Sequence, residues 1–448
     1  MALTGIAIFK MLPKTNCGEC HYPTCLAFAM NLAAGKADLD VCPYISAEAK
    51  SQLTEASAPP IRTVTIGTGD RAVRLGGETV LYRHEKKFEN PPGLALLISD
   101  ALPEAEIRER LARFKQLHYE RAGMALYPEL IALKAESNNP DKFREIVNRV
   151  QESANCALIL MSEDPAVLAA ALEICRNEKP LLYPATRANI REMAALAKST
   201  GCPLAVKGDN IEEIAALAAI LIEGGFNDLV LDSGARNLRQ ALTDQVTIRR
   251  AALSKKIRTL GFPTIVFPCE MATDLMQETL VATVLMAKYG SLLVLSDFQG
   301  HSLFPLLMAR ADIFSDPQRP LATAAGIYPI NNPREDSPVV ITANFSLTYF
   351  IVSGEIDSSR VPCWLLIKDT EGLSVLTAWS AGKFSGEQIA QFVQQCAIAE
   401  QIKHRKLILP GHVAVESGSL EEALPGWEIL IGPREAAYLP AYLKGWHV

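Results

Sequence analysis

The chain has 448 residues, of which 49% are hydrophobic and 21% charged, and its net charge is −6 at pH 7. This length exceeds what one compact core supports, and the composition is that of a folded globular protein, so we expect several domains and exclude a disordered or fibrous chain. No basic stripe or arm rich in lysine and arginine is present, which argues against nucleic acid as a partner.

Targeting signals are not evident in the sequence. No stretch approaches 18 uninterrupted apolar residues, so no membrane span is predicted. The N-terminal apolar run is short and lacks both a basic region and a cleavage site, which argues against a signal peptide. We therefore expect a cytoplasmic protein without a membrane partner.

The first predicted domain, residues 1–57, carries four of the ten cysteines: Cys17, Cys20, Cys25 and Cys42. In a reducing compartment, clustered thiols are metal ligands more often than disulfides. Structural zinc usually takes two close C-x2-C pairs, and only Cys17 and Cys20 form one here. A late cysteine followed by proline, as Pro43 follows Cys42, is typical of ferredoxin-type ligands. The spacing therefore favours a 4Fe–4S cluster, with zinc as the alternative.

Two local features accompany these cysteines. Thr24 is a predicted N-cap for a helix that begins at Cys25, because its hydroxyl can accept a hydrogen bond from the first turn. Gly18 has no side chain, which would let the backbone pass close to the sulfides of a cluster.

Residues 58–92 are predicted to be a linker with short strands, since Val, Ile and Leu alternate there with polar residues between glycine turns. From 93 to 325, amphipathic helical patterns alternate with eight short apolar runs: 94–99, 124–130, 156–161, 180–185, 203–206, 228–232, 264–268 and 291–296. Eight strand–helix alternations predict a (β/α)8 TIM-type barrel, with a doubly wound open sheet as the alternative.

Three aspartates follow predicted barrel strands, at the edge where barrel active sites lie: Asp100, Asp232 and Asp297. Charged residues end many ordinary strands, and no H-E-x-x-H or paired histidine accompanies these three. We therefore expect structural or solvent-facing roles for them. A barrel by itself defines no activity, so it is interpreted as a scaffold or docking surface.

Residues 326–448 are predicted to form a separate, small, open α/β domain. Helical patterns alternate there with five apolar runs: 338–342, 363–367, 373–377, 406–410 and 427–432. The clearest helix begins at Ser385, which with Gln388 forms a capping box.

Small residues collect after the strands of this domain, where open α/β sheets bind ligands. Gly372, Gly411 and Gly432 would let the backbone reach a large flat ligand there. The alternative is that they are ordinary strand-to-helix turns, and spacing alone does not decide between the two.

The cluster spacing, the order of the parts and the segments TANFSLTYFIVSGEI, TEGLSVLTAWSAGKF and IGPREA carry a resemblance. Over essentially its whole length the chain resembles the large (gamma) subunits of corrinoid iron–sulfur proteins of the reductive acetyl-CoA pathway. The resemblance implies an α/β multidomain protein with an N-terminal iron–sulfur module, a central TIM-type barrel and a C-terminal Rossmann-like corrinoid-binding domain.

The resemblance also implies a function. The chain would be a methyl carrier whose cobamide cycles between Co(I) and methyl-Co(III), so the chemistry would occur at cobalt rather than at a catalytic side chain. It would accept the methyl group from methyltetrahydrofolate through a separate methyltransferase and pass it to acetyl-CoA synthase. The 4Fe–4S cluster would reductively reactivate Co(II), and a small subunit would complete a heterodimer.

The corrinoid contacts implied by this resemblance are Thr342, Thr348, Gly372, Leu373, Ser374, Val375, Thr377, Gly432, Arg434, Glu435 and Ala436. Many cobamide domains present a histidine to cobalt from a D-x-H-x-x-G motif, but none of the seven histidines here lies in one. His412 is near the implied site and is expected to be a surface loop residue. We therefore expect a base-off cobamide without a protein histidine on cobalt, which would ease reduction to Co(I).

Three other functions compete with this one. The chain could be an iron–sulfur electron-transfer protein without corrin, which cobalt analysis would distinguish. A barrel methyltransferase that binds a pterin would need Asp and Asn residues converging at the barrel mouth. A scaffold held together by zinc would be colourless.

Overall fold

A computed structural model describes residues 4–33, 37–46, 48–50, 53, 59–121 and 124–447. The chain divides into two compact units, each built from several segments. The first unit comprises Met1–Leu81, Glu89–Leu117 and Pro128–Arg310. The second comprises Tyr82–Phe88, His118–Tyr127 and Ala311–Val448.

The secondary structure of the described residues is as follows. The helices are α1 (Gly5–Met11), α2 (Cys25–Ala33), α3 (Glu104–Gln116), α4 (Pro140–Ser153), α5 (Pro165–Cys175), α6 (Ile190–Thr200), α7 (Ile211–Glu223), α8 (Leu238–Leu253), α9 (Leu275–Ala287), α10 (Gly300–Ile313), α11 (Ser346–Ser359), α12 (Val375–Ser380), α13 (Gly386–Gln395), α14 (Ser417–Ala423) and α15 (Leu439–Lys444). The strands are β1 (Val64–Ile66), β2 (Val73–Leu75), β3 (Gly93–Ser99), β4 (Tyr119–Arg121), β5 (Met124–Leu126), β6 (Leu130–Lys134), β7 (Ala157–Met161), β8 (Leu181–Ala185), β9 (Leu204–Lys207), β10 (Leu229–Asp232), β11 (Ile265–Val266), β12 (Leu292–Leu295), β13 (Gly326–Ile330), β14 (Val339–Ala343), β15 (Cys363–Lys368), β16 (Lys406–Leu409) and β17 (Glu428–Ile431). Among the described helices, none is both long and apolar enough to cross a membrane.

The first unit contains the eight-stranded parallel sheet of a nearly closed barrel. Its strand order in the described residues is β10-β9-β8-β7-β6-β3-β12-β11. The two ends of this sheet meet through a parallel bridge between Leu231 and Thr264. Helices follow the strands, so the predicted α/β barrel is confirmed and the open doubly wound sheet is not what forms.

One of the eight predicted barrel strands is wrong. The prediction placed the second strand at 124–130, whereas the barrel strand is β6, Leu130–Lys134. Met124–Leu126 instead pairs antiparallel with β4, outside the barrel sheet. Pro128 lies between the two strands and cannot donate a ladder hydrogen bond, so the apolar run is split there.

The barrel interior is filled by side chains from the strands and from the β1–β2 hairpin. Val64, Ile66 and Leu75 of the hairpin belong to the same buried cluster as the inward-facing residues of the barrel strands. The backbone N–H of Gly67 donates to the carbonyl of Lys179, which precedes β8, so the hairpin covers the amino-terminal end of the barrel. The segment 58–92 thus supplies part of the barrel core.

The second unit contains a five-stranded sheet of order β13-β15-β14-β16-β17, in which only β13 is antiparallel among the described strands. Strand β13 was not predicted from the sequence. The strand predicted at 373–377 is wrong, because Ser374 precedes the first turn of α12. The helix predicted after Ser385 is confirmed as α13, whose Gln388 N–H donates to the Ser385 hydroxyl.

A buried ion pair attaches the segment after β2 to the barrel. Arg249 on α8 donates to Glu78 at 3.0 Å, and both side chains are less than a tenth exposed. Arg249 also donates to the Val80 carbonyl at 3.2 Å. Burial raises the pKa of Glu78 against the opposing effect of the Arg249 charge.

We expect Arg249→Met to lower the free energy of unfolding by about 3–5 kcal/mol, because it leaves the Glu78 carboxylate buried without its cation. Urea unfolding at pH 7 measures this loss. The matched control is Arg108→Met, which removes an exposed pair with Glu104 and should cost less than about 1 kcal/mol. Equal losses in the two variants would contradict the assignment.

Glu278 on α9 is a buried carboxyl group whose stability contribution depends on pH. It is 4% exposed and accepts hydrogen bonds from the backbone N–H and hydroxyl of Ser296, both at 2.6 Å. Burial raises its pKa above the usual range, although these hydrogen bonds act in the opposite direction. Its stabilising effect is therefore complete below the unfolded pKa and is lost as pH rises through the folded pKa.

Glu278→Gln should remove the loss of stability at high pH, because an amide does not ionise. We expect the stability of the variant relative to the wild type to increase as pH rises from about 4, near the pKa of an unfolded glutamate, to 8. Urea unfolding at each pH measures the difference, with the exposed Glu145→Gln as the control. A difference that does not change with pH would refute the prediction.

Candidate cofactor sites

Two of the four cysteines of the N-terminal module, Cys17 and Cys20, lie in the loop between α1 and α2, whereas Cys25 begins α2 and Cys42 follows a short 3-10 helix. Cys20, Cys25 and Cys42 are buried in an apolar cluster with residues that include Ile8 and Phe28, whereas Cys17 is exposed. The predicted N-cap is confirmed, since the N–H of Ala27 donates to the Thr24 hydroxyl at 3.1 Å. Helix α2 therefore begins at Cys25, and the Cys25 thiol lies in this apolar cluster of side chains.

The loop that carries the first two cysteines has an unusual backbone. Lys14, Asn16, Gly18 and His21 all have positive φ, between +48° and +77°. Left-handed residues in such loops turn successive N–H groups to the same side, which creates anion-binding concavities found at many iron–sulfur sites. The Asn16 side chain fixes this loop by accepting from the N–H of Cys25 at 2.8 Å.

The donor set of this module is that of an iron–sulfur site, with four thiols of which three share one buried apolar cluster. The left-handed residues of the loop can turn N–H groups toward negatively charged thiolates. Tyr44 donates to Glu19 at 2.8 Å, which holds the segment after Cys42 against the loop between Cys17 and Cys20.

The second candidate site is a cavity of about 440 Å³ in the C-terminal sheet. It lies at the carboxyl ends of β14 and β16. The strand order reverses there, because β15 lies on one side of β14 whereas β16 and β17 lie on the other side. Open α/β sheets bind ligands at such a switch point. Its walls are largely apolar, with contributions from Ile341, Ile351, Val352, Leu409 and Leu439.

Eight of the eleven residues proposed from the resemblance line this cavity: Thr342, Thr348, Ser374, Val375, Gly432, Arg434, Glu435 and Ala436. The other three lie in the adjoining turn and helix. Gly372 donates its N–H to Asn344, Leu373 packs on the apolar core, and the Thr377 and Ser374 hydroxyls are 3.0 Å apart. Their contact with a corrinoid stays a prediction.

The cavity also contains residues that were not predicted. Ile351, Val352 and Glu355 come from the inner side of α11, and a helical pattern after TANF could have indicated them. His412 lines the cavity while 38% of its side chain is exposed, and its Nε2 is 3.8 Å from Glu435. His412 is therefore exposed, as expected, but it belongs to the short 3-10 helix Gly411–Glu416 rather than to a loop, and it lines the site.

Gly411 is required by contact between two loops. A Cβ atom there would lie 2.5 Å from the carbonyl oxygen of Gly432 and 2.9 Å from the nitrogen of Arg434. The N–H of Gly411 donates to the Pro433 carbonyl at 3.2 Å. The absence of a side chain therefore serves packing of the loops after β16 and β17, which together form one wall of the cavity.

Two of the three aspartates at the barrel strand ends form local hydrogen bonds. Asp100 accepts from the N–H of Ser137 at 2.9 Å and lies 2.5 Å from its hydroxyl. Asp297 accepts from Arg113 at 2.6 Å. Both carboxylates connect a strand end to a neighbouring loop or helix.

Asp232 belongs to a buried network at the barrel mouth. It accepts from the Tyr183 hydroxyl at 2.8 Å and from Arg236 at 2.9 Å, and Arg236 also pairs with Glu270. Burial raises the pKa of Tyr183 well above its usual value. The charges of this network compensate one another, and Tyr183, Arg236 and Glu270 also line a cavity at the barrel mouth.

Comparisons with known proteins match the regions that contain both candidate sites. The family model described as "CO dehydrogenase/acetyl-CoA synthase delta subunit" matches residues 63–443. A second model, described as "Putative Fe-S cluster", matches residues 12–44. Each model thus covers one of the two candidate sites.

Relatives match the chain over its full length. It is 44% identical over 444 residues to the corrinoid/iron–sulfur protein large subunit of Moorella thermoacetica, covering 99% of each chain. It is 33% identical to the acetyl-CoA decarbonylase/synthase complex subunit gamma of Methanopyrus kandleri, covering 99% of this chain and 97% of that one. The gamma subunit of Methanothermobacter thermautotrophicus is 34% identical, with 99% of each chain covered. The chain belongs to the family of corrinoid iron–sulfur protein large subunits.

We expect Gly411→Ala to lower the free energy of unfolding of the C-terminal unit by about 1–3 kcal/mol, because the contacted atoms are backbone and cannot turn aside. Thermal unfolding followed by circular dichroism measures the loss. Gly418→Ala is the matched control, since open space surrounds that position and alanine favours helix α14. An unchanged Gly411→Ala protein would show that the two loops do not need this contact.

Proposed function

We propose that this chain is the corrinoid-carrying subunit of a methyl-transfer system. It would accept a methyl group from methyltetrahydrofolate through a separate methyltransferase and deliver it to acetyl-CoA synthase. The observation that carries the proposal is the apolar cavity at the strand-order reversal between β14 and β16, in a chain of this family that also bears the four-cysteine module. When bound, the corrinoid supplies a cobalt centre that takes up and releases the methyl group.

In this proposal the C-terminal unit is a Rossmann-like corrinoid-binding domain. The apolar walls around Ile341 and Leu409 would exclude water from the buried part of the ligand. The hydroxyls of Thr342, Thr348 and Ser374 can donate to and accept from the amide groups at the edge of a corrinoid. Arg434 would suit the phosphate of its nucleotide tail.

We further propose that cobalt carries neither its own lower base nor a protein histidine. The support is the absence of a D-x-H-x-x-G motif from the sequence. His412 is the histidine that lines the cavity among the described residues, and its exposed side chain has Nε2 3.8 Å from Glu435. Its role would be at the edge of the site.

The N-terminal module would hold a 4Fe–4S cluster on Cys17, Cys20, Cys25 and Cys42 and use it to restore oxidised corrinoid. The three buried thiols and the concave loop support this assignment. The gamma subunits named above belong to complexes, which supports a heterodimer of this chain with a small subunit. Location in the cytoplasm stays a prediction from the sequence.

The test is metal analysis of the anaerobically purified chain, co-expressed with its small subunit and supplied with cobamide. We expect about four irons and one cobalt per chain. Cys20→Ala should lose iron and keep cobalt, because the two cofactors occupy different units. A single methyl transfer from pre-reduced protein should persist in this variant, while recovery of oxidised corrinoid should be lost. Cys202→Ala, which removes a buried barrel thiol, is the matched control and should retain iron, cobalt and recovery.

Iron without cobalt in the wild type would refute the methyl-carrier assignment and leave an electron-transfer protein. Loss of single methyl transfer in a folded Cys20→Ala protein would refute the reactivation role. Nitrogen splitting in the electron paramagnetic resonance spectrum of the Co(II) form would refute the proposed absence of a nitrogen ligand.

A further inference from the structure

A buried asparagine lies beneath the turn that leads into the cavity. Asn344 follows the last residue of β14 and is 4% exposed. Its Oδ1 accepts from the backbone N–H groups of Thr370 at 3.0 Å and of Gly372 at 2.9 Å, and lies 2.8 Å from the Thr370 hydroxyl. Its Nδ2 donates to Asp369 at 3.0 Å. One side chain thus binds most of the turn after the neighbouring strand, β15.

This turn has a conformation that needs support. The N–H of Leu373 donates to the carbonyl of Thr370 at 3.2 Å, which closes a four-residue turn. Both central residues are left-handed, with φ of +56° at Glu371 and +76° at Gly372. Glycine adopts this conformation freely, whereas glutamate does so at a cost that surrounding contacts must offset.

The turn is packed tightly on its other side. A Cβ atom at Gly372 would lie 2.7 Å from the carbonyl oxygen of Pro320, so the segment before β13 runs directly against it. The far end of the same loop is held by Lys368, whose buried ammonium group donates to the carbonyls of Asp369 at 3.0 Å and Lys383 at 2.8 Å. The segment from 369 to 383, which contains α12, is therefore attached to the strand ends by two buried polar side chains.

The position of this turn decides where part of the cavity wall lies. Ser374, Val375 and Leu376 follow the turn immediately, begin α12 and line the cavity. Asn344 itself does not line the cavity. Any movement of the Thr370–Leu373 turn would displace these three lining residues, because only one peptide unit separates Leu373 from Ser374.

We infer that Asn344 is a positioning residue for corrinoid binding, which holds the Thr370–Leu373 turn so that Ser374, Val375 and Leu376 are in place before the ligand arrives. The inference rests on the proposed function. Its physical basis is that a preformed wall does not have to be ordered when the ligand binds. Removing the Asn344 amide leaves two buried N–H groups without an acceptor, which favours opening of the turn.

The experiment compares Asn344→Ala with the wild type in two measurements on the folded full-length chain, co-expressed with its small subunit. Hydrogen exchange of the peptide 369–376, followed by mass spectrometry without corrinoid, should be faster by about 10-fold or more in the variant. Hydroxocobalamin titrated into the protein and followed by absorbance should bind about 10-fold more weakly.

Asn331→Ala is the matched control, because Asn331 also bridges loops of the C-terminal unit but at the amino ends of the strands. Its side chain donates to the carbonyls of Ile356 and Val361, near the start of β15. A merely structural effect would lower the melting temperature in both variants. We expect hydroxocobalamin affinity and exchange of 369–376 to change less than about 2-fold in Asn331→Ala.

A charge exchange provides the rescue. Asn344→Asp alone places a second carboxylate beside Asp369 and should weaken hydroxocobalamin binding. Combined with Asp369→Asn, it reverses donor and acceptor across the same hydrogen bond and retains an acceptor for Thr370 and Gly372. We expect the double variant to bind more tightly than Asn344→Asp alone, because the hydrogen bond between positions 344 and 369 returns. It should bind more weakly than the wild type, because Asp369 Oδ1 also accepts from the N–H of Glu371 at 2.9 Å and an amide nitrogen in its place cannot.

The outcomes separate this inference from the proposed function. If the wild type does not bind hydroxocobalamin, the proposed function fails and the inference fails with it. If the wild type binds and folded Asn344→Ala binds equally well, only the positioning role is overturned. A folded double variant that binds no more tightly than Asn344→Asp alone also overturns it, because the hydrogen-bond pattern would then not be what matters.

Discussion

The reversal of strand order between β14 and β16 is the constraint on which the C-terminal site depends. The carboxyl ends of parallel strands lie at one edge of the sheet. Where the connections after two adjacent strands run in opposite directions, they leave a crevice between those strand ends. The apolar cavity occupies that space. The segments around it, which include parts of α11, α12 and α15, are held in place by contacts of their own.

Those contacts use backbone and small polar groups rather than large side chains. Gly411 allows the loops after β16 and β17 to touch through their backbones, and Asn344 binds the turn after β15 through three neighbouring groups. Such arrangements depend on direction, because each N–H has one hydrogen to donate. These directional contacts restrict the positions of the wall residues more than apolar packing alone would.

The first unit uses buried polar groups differently. Glu78 and Arg249 join the segment after β2 to the barrel, while Asp232 and Arg236 compensate each other's charge at the opposite end of the barrel strands. In both cases an oppositely charged side chain offsets the cost of burying a charge. The partner is four residues away for Asp232 and Arg236 and distant in the sequence for Glu78 and Arg249. These two ion pairs therefore stabilise the barrel itself, whereas the two candidate cofactor sites lie in the terminal parts of the chain.

Local features of the sequence predicted much of this protein. Alternating apolar runs identified seven of the eight barrel strands, Thr24 and Ser385 marked two helix starts, and the cysteine spacing indicated the module around Cys25. Periodicity, helix capping and cysteine spacing depend on residues that are close together in the sequence, so they can be predicted without the fold. The barrel strand predicted at 124–130 was wrong because Pro128 separates two apolar stretches there. Only their pairing shows that the second stretch, and not the first, belongs to the barrel.

Only the tertiary structure decided which distant residues share a site. Nothing near Asn344 in the sequence identifies Gly372 as its partner, 28 residues away, and nothing near Val64 places it inside the barrel. Hydrogen bonds and packing between segments depend on the path of the chain, whereas periodicity and capping depend on the residue and its neighbours. The sequence by itself therefore determined the elements and the cluster motif, and the fold determined the cavity and what holds its wall.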